Sequence, residues 1–211
     1  MTEAEWPTTT NPGRMLRFVM PRRPKRKLAL FGVACAHRIP RLSREAASAA
    51  AVAVSERYAD RHARVGELRA ALRRAGPPPG DYSSYTRAEL DRYLAEHAVL
   101  CNAASNAELV SEYALKAAPD RAAEERAQCD LLREVFGNPF RNVRLRKDWL
   151  TSAVVPLAEG IYAGRAFDRL PILADALQDA GCADEDVLNH CRGGGVHVRG
   201  CWVIDLLLGK G

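Results

Sequence analysis

The sequence predicts an all-α protein, with helical hairpins packed as an irregular bundle or a short helical-repeat-like array. Three observations carry this prediction. Apolar residues recur at helical spacing along the whole chain, and no alternation of period two persists. Start and stop residues for helices punctuate those stripes at short intervals. The apolar share of 47% leans on alanine and leucine while aromatics reach only 7%, a mix that suits helices better than strands.

The elements follow in order. Asn11-Pro12 starts a first helix, since proline fits the first turn, and Met15, Leu16, Phe18 and Val19 give it apolar cover. Pro21 and Pro24 break it. Over 27–39, Leu28, Phe31, Cys35 and Ile39 form one stripe of a buried helix that Pro40 ends. Ser43 is the expected N-cap of the alanine-rich helix after it, and "VGELRAALRRA" continues the helical pattern. "GPPPGDYSSY" at 76–85 then interrupts it, which suggests a basic N-terminal helical region over 1–75 and a C-terminal helical hairpin region over 86–211, or one continuous domain.

Thr86 and Glu89 have the spacing of a capping box, in which each side chain satisfies an orphan amide at the helix start. Leu90, Tyr93, Leu94, His97, Cys101 and Ala104 follow as a stripe, and Ser105 to Glu108 repeats the box pattern. Pro119-Asp120 opens a helix with Ala127, Leu131, Val135 and Phe136 inward, stopped by Gly137 and Asn138-Pro139. Two hairpins follow, 149–163 with 168–180 and 184–192 with 197–208, punctuated by Gly164, Gly181 and Gly193. Pro156 kinks the first of these helices unless that helix starts only at Ser152. The total is about nine or ten helices.

A chain of 211 residues fits one domain or two small ones. Its net charge of +5 is uneven: residues 1–80 hold 16 Lys and Arg against 6 Asp and Glu, and residues 81–211 hold 15 against 20. Such asymmetry suits a polyanionic partner at one end, or attraction between the halves. No apolar run approaches the roughly 20 residues that span a bilayer, and the opening "MTEAEWPTTTNP" is unlike a secretory signal. Six cysteines in that context point to free thiols in a reducing cytoplasm.

Chemistry concentrates in "GCADEDVLNHCRGGGVHVRGCW", Gly181 to Trp202, with three of the six cysteines and two of the five histidines. Asp184 suits the N-cap of a helix over 185–192, and His190 and Cys191 fall in its last turn. A helix starting near His197 places His197 and Cys201 four residues apart on one face, together with Ile204 and Leu208. The leading reading is a structural corner, because cysteine packs as a small hydrophobe. The alternative is zinc held by Cys182, His190, His197 and Cys201, with Cys191 as a substitute, although the 182 to 190 spacing is not a short ligand knuckle. A third reading sets Cys201 or Cys191 with a histidine and Asp205 as a catalytic group. The stretch is expected to bring Cys182, His190, His197 and Cys201 together.

Elsewhere, Arg22, Arg23, Lys25, Arg26 and Lys27 form a basic cluster that could meet phosphates, without interleaved aromatics to stack bases. "RNVRLRK" at 141–147 is a second, surface-lying basic run. His37 and His97 read as core or rim histidines. "LLLGKG" at the end lacks the pattern of a phosphate loop.

"MTEAEW", "FGNPFR" at 136–141, "LPILADALQDAGC" at 170–182 and "HCRGGGVHVRGCWVIDLLLGK" at 190–210 resemble a paralogue-rich, planctomycete-type family of helical bacterial proteins. The resemblance implies kinship of fold and assigns no activity. That family's pattern has prolines where this chain has Gly194 and Val196, which leaves the loop before His197 less rigid here.

The function expected from these features is a non-enzymatic cytoplasmic interaction or adaptor module with a protein partner and no cofactor. A nucleic-acid-associated role through the basic N-terminal half, weak and insensitive to sequence, is the alternative. A zinc-binding or Cys/His enzyme is the third.

Overall fold

A computed structural model describes residues 1–22, 25–75, 86–103 and 106–210. Among them are twelve α-helices and no strand. The loop expected at 76–85 lies outside the described residues, as do Arg23, Pro24, Ala104 and Ser105.

Contacts divide the chain into two units, Met1–Leu132 and Arg133–Gly211. The first holds α1 (Pro12–Val19), α2 (Lys25–His37), α3 (Pro40–Arg44), α4 (Ala46–Ala59), α5 (Val65–Arg74), α6 (Arg87–Asn102), α7 (Ala107–Ala117) and most of α8 (Arg121–Phe136). The boundary between the units falls within α8, and α6 and α7 pack on α2. Gly32 explains part of this: a Cβ there would lie 2.3 Å from the Ala103 carbonyl oxygen, so only glycine lets α2 approach the end of α6 so closely. On α4, Ser48, Ala51, Val52, Ser55, Glu56 and Ala59 form one buried stripe at helical spacing. Ser111, Gln128, Glu124 and Arg38 form a hydrogen-bonded chain in this unit, so the buried amide of Gln128 is satisfied.

Local signals set most helix ends. Asn11 caps α1 through Arg14 N–H, the Thr86–Glu89 capping box is complete, and Asp120 accepts from Ala123 N–H. Three expectations change. Ser43 lies inside α3 and donates to the His37 carbonyl, so α4 starts after Glu45 without a side-chain cap. Leu94 is exposed, off the buried stripe of α6. Asn106, accepting from Leu109 N–H, caps α7.

The second unit holds the last turn of α8, α9 (Val154–Gly164), α10 (Leu170–Asp179), α11 (Glu185–Arg192) and α12 (Trp202–Leu207). Pro156 lies in the first turn of α9, where its missing N–H costs nothing, so this helix starts later than residue 149. Ile161, Leu170, Leu173, Leu177, Val187 and Ile204 fill the core, with Cys182, Cys191 and Cys201 among them. No helix of the described residues is long and apolar enough to cross a membrane.

Candidate metal centre

Four side chains of the second unit converge. One ligand atom each from Glu134, His190, His197 and Cys201 lies within 4.8 Å of all the others. Their positions follow from three local structures. Glu134 is in the last turn of α8, which Gly137 ends at a φ of +63°. His190 is in the last turn of α11, whose start is fixed by Asp184 accepting from Val187 N–H. His197 and Cys201 come from the segment between α11 and α12.

That segment is not the expected helix from 197. His197 and Val198 are non-helical, and Cys201 N–H donates to the Val198 carbonyl across a tight turn. Gly200, at a φ of +95°, supplies the left-handed residue that this turn requires. Val198 N–H donates to Glu134 Oε1, so a donor that a helix would use is given to the site instead. Helix α12 starts only after Cys201. His197 and Cys201 therefore meet through a turn and not on a helix face.

The polar geometry is tight. His197 Nδ1 is 3.0 Å from Glu134 Oε2, His190 Nε2 is 3.1 Å from the same oxygen, and His190 Nε2 is 3.2 Å from Cys201 Sγ. His197 Nε2 faces the Gly193 carbonyl at 3.3 Å. Both ring nitrogens of His197 therefore face acceptors, and a neutral ring, with one N–H, satisfies only one of them. A second proton on His197, or a metal ion on the Nδ1 side, satisfies both.

Protonation states follow the same logic. Burial acts to raise Glu134, but hydrogen bonds from His190 and His197 prevail and bring its pKa down to about 2. Burial acts to lower His197, and its bond to Glu134 outweighs this and raises it. Burial, with the Glu134 charge nearby, pushes the Cys201 thiol well above its ordinary range. Burial likewise raises Cys191 to about 12 and shifts Cys182 upward.

The donor set suits zinc: two imidazoles, a carboxylate and a thiolate. Tetrahedral zinc with bonds of about 2.0–2.3 Å separates its ligand atoms by roughly 3.3–3.8 Å, so the close pairs need to open only by tenths of an ångström. Glu134 is arranged for one-oxygen ligation, with Oε1 on Val198 N–H and Oε2 toward the histidines. The Gly193 carbonyl on His197 Nε2 is the outer partner that a ligating histidine uses to fix its tautomer. Trp202 lies against His190, with ring centroids 5.2 Å apart.

Three of the four residues expected for a metal, His190, His197 and Cys201, are together. Cys182 stands outside the group. Its N–H closes the end of α10 on the Leu177 carbonyl, after Gly181 at a φ of +80°, and its side chain is in the core. Cys191, the expected substitute, is also a core residue. Glu134 takes the fourth position. Its only sequence signal was a carboxylate one turn before a helix stop, which is too common a pattern to identify a ligand. Asp205, considered as a catalytic partner, is buried outside the group.

Of the basic cluster at 22–27, the structure describes the side chains of Lys25, Arg26 and Lys27. Arg26 binds Asp60 at 2.9 Å, and Lys27 is buried, while Lys25 is exposed. In the second basic run, Arg141 pairs with Asp186 and Arg146 with Asp148. Comparison with protein-family models, curated proteins and solved structures found no match.

Proposed function

We propose that the chain is a zinc-binding helical protein whose second unit is held by one ion on Glu134, His190, His197 and Cys201. The single observation that carries this reading is the convergence of Glu134, His190, His197 and Cys201, whose ligand atoms lie within 4.8 Å of one another. A cation there satisfies all four groups at once.

The role of the ion is structural. Four protein ligands complete a tetrahedral shell, as in closed zinc sites. Cys201 and Glu134 are shielded from solvent at 1% and 4% exposure, which leaves no approach for a substrate to the thiol. A nucleophilic cysteine needs a lowered pKa and access, and Cys201 has the reverse of both. A metal held by folded ligands adds its binding free energy to the stability of this unit. On this reading the protein is a non-catalytic cytoplasmic interaction module. Its free buried thiols suit a reducing compartment, and the exposed Ile172 and Val196 of the second unit suit a protein partner.

The test is metal content. The full chain, purified after expression in zinc-supplemented medium, should retain about one zinc per chain by elemental analysis, and Glu134→Gln/His197→Gln should retain little. A wild-type chain that keeps no metal when zinc is supplied overturns the proposal.

A further inference from the structure

We infer that the exposed face of α5, with the turn before it, binds the phosphate backbone of double-stranded nucleic acid without reading its sequence. Arg69, Arg73 and Arg74 are exposed on the helix and Arg61 and Arg64 on the turn before it, and no ion pair joins any of the five to a carboxylate among the described residues. The acidic Glu67 is already paired with Arg57 of α4. Helix α5 buries Leu68 and Ala71, so Arg69 and Arg73 project from the opposite side. Gly66 and Ala70 lie between the arginines on that side, and nothing stands within 4 Å of a Cβ built on Gly66. In the helical register the exposed side is a strip of small residues with arginines on either side.

Two features keep charge where stability would prefer something else. Arg61 follows Asp60, the C-cap of α4, and holds a φ of +62°, with His62 N–H on the Arg57 carbonyl and Arg61 N–H on the Tyr58 carbonyl. Glycine is the favoured residue at that position of this helix end. Arg69 and Arg73 are like charges four residues apart on a helix, which repel.

The chemistry selects the partner. From Arg64 to Arg74 the helix rises about 15 Å, enough to follow roughly four phosphates of one strand. All the cations are arginines, whose fork geometry matches phosphate oxygens. No aromatic lies on α5 to stack an unpaired base, so duplex is favoured over single strand. This surface belongs to the first unit and is independent of the zinc proposal.

The experiment is fluorescence anisotropy of a labelled mixed-sequence DNA duplex of about 20 base pairs, titrated with the full chain from about 50 to 200 mM salt. The expected result is binding at low salt that weakens about 250-fold across the range, a log–log slope near −4. Arg69→Glu/Arg73→Glu should reduce the slope by about 2, and Arg61→Gly by about 1. Arg61→Gly should also raise the melting temperature. Arg165→Gly makes the same exchange at the end of α9, where φ is +54°, and should leave binding unchanged. If the double variant does not fold, the Arg61→Gly and Arg165→Gly pair decides. No duplex binding at low salt, or a slope that no α5 variant changes, overturns the inference. Displacement by polyglutamate as effective as by duplex at equal charge also overturns it, and assigns the strip to an acidic protein instead.

Discussion

Zinc and a plain ion-pair corner give opposite pH dependences. Without metal, the corner rests on Glu134 accepting from two histidines. Glu134 is lowered to about 2, so its contribution is complete above the unfolded value near 4.3 and is lost as pH falls toward 2. A shift of somewhat over 2 units corresponds to about 3 kcal/mol. His197 is raised, so its contribution is complete below the unfolded value near 6.5 and is lost as pH rises through the folded one. The metal-free unit is therefore most stable between about pH 4.5 and 6.5, and weaker at pH 8. With zinc the sign reverses. The bound Cys201 is a thiolate, whereas the unfolded cysteine keeps its proton below about pH 8.5, so stability rises by about 1.4 kcal/mol per pH unit. Below about pH 6.5 the two imidazoles add further protons in the unfolded chain and steepen the rise. Zinc at a thousandfold over its dissociation constant adds about 4 kcal/mol in total. The assay is urea unfolding at pH 6, 7 and 8, with zinc or with a chelator, followed by tryptophan fluorescence and circular dichroism. Trp149 and Trp202 belong to the second unit. Stability that falls from pH 6 to pH 8 in both conditions, or curves that coincide with and without chelator, would refute the metal assignment.

Ligand identity separates two nearby residues. Cys182→Ala should cost about 1–2 kcal/mol by removing a buried side-chain atom and leave zinc content unchanged, while Glu134→Gln should lose most of the zinc. Gly137→Ala should destabilise the second unit by about 1–3 kcal/mol in urea, since its φ is +63° and the new Cβ would lie 3.1 Å from the Trp202 ring. Gly32→Ala should cost about 2–3 kcal/mol or more in the first unit, because the contact it creates is with backbone that cannot yield. Thermal melting of that variant, compared with Gly66→Ala at an open site, isolates the steric part.

The sequence by itself determined the helical class and most helix ends. Asn11, the Thr86–Glu89 box, Asp120, Gly137 and Asp184 act on backbone groups three or four residues away, so their effect is readable from spacing alone. It also singled out His190, His197 and Cys201, because they lie within one short stretch. Only the tertiary structure brought in the fourth member of the group. Glu134 is 63 residues from His197 in the chain, and no local rule links the end of α8 to the turn at Val198. The same distance effect accounts for the helix expected at 197, where Val198 N–H goes to Glu134 instead of a helical carbonyl. It accounts as well for Arg26 of the basic cluster, which pairs with Asp60, 34 residues away. Spacing fixes what a residue can do for its own turn of helix. Packing between elements fixes which partner a buried charge finds, because removing that charge from water is tolerated only where an opposite charge or a donor already waits.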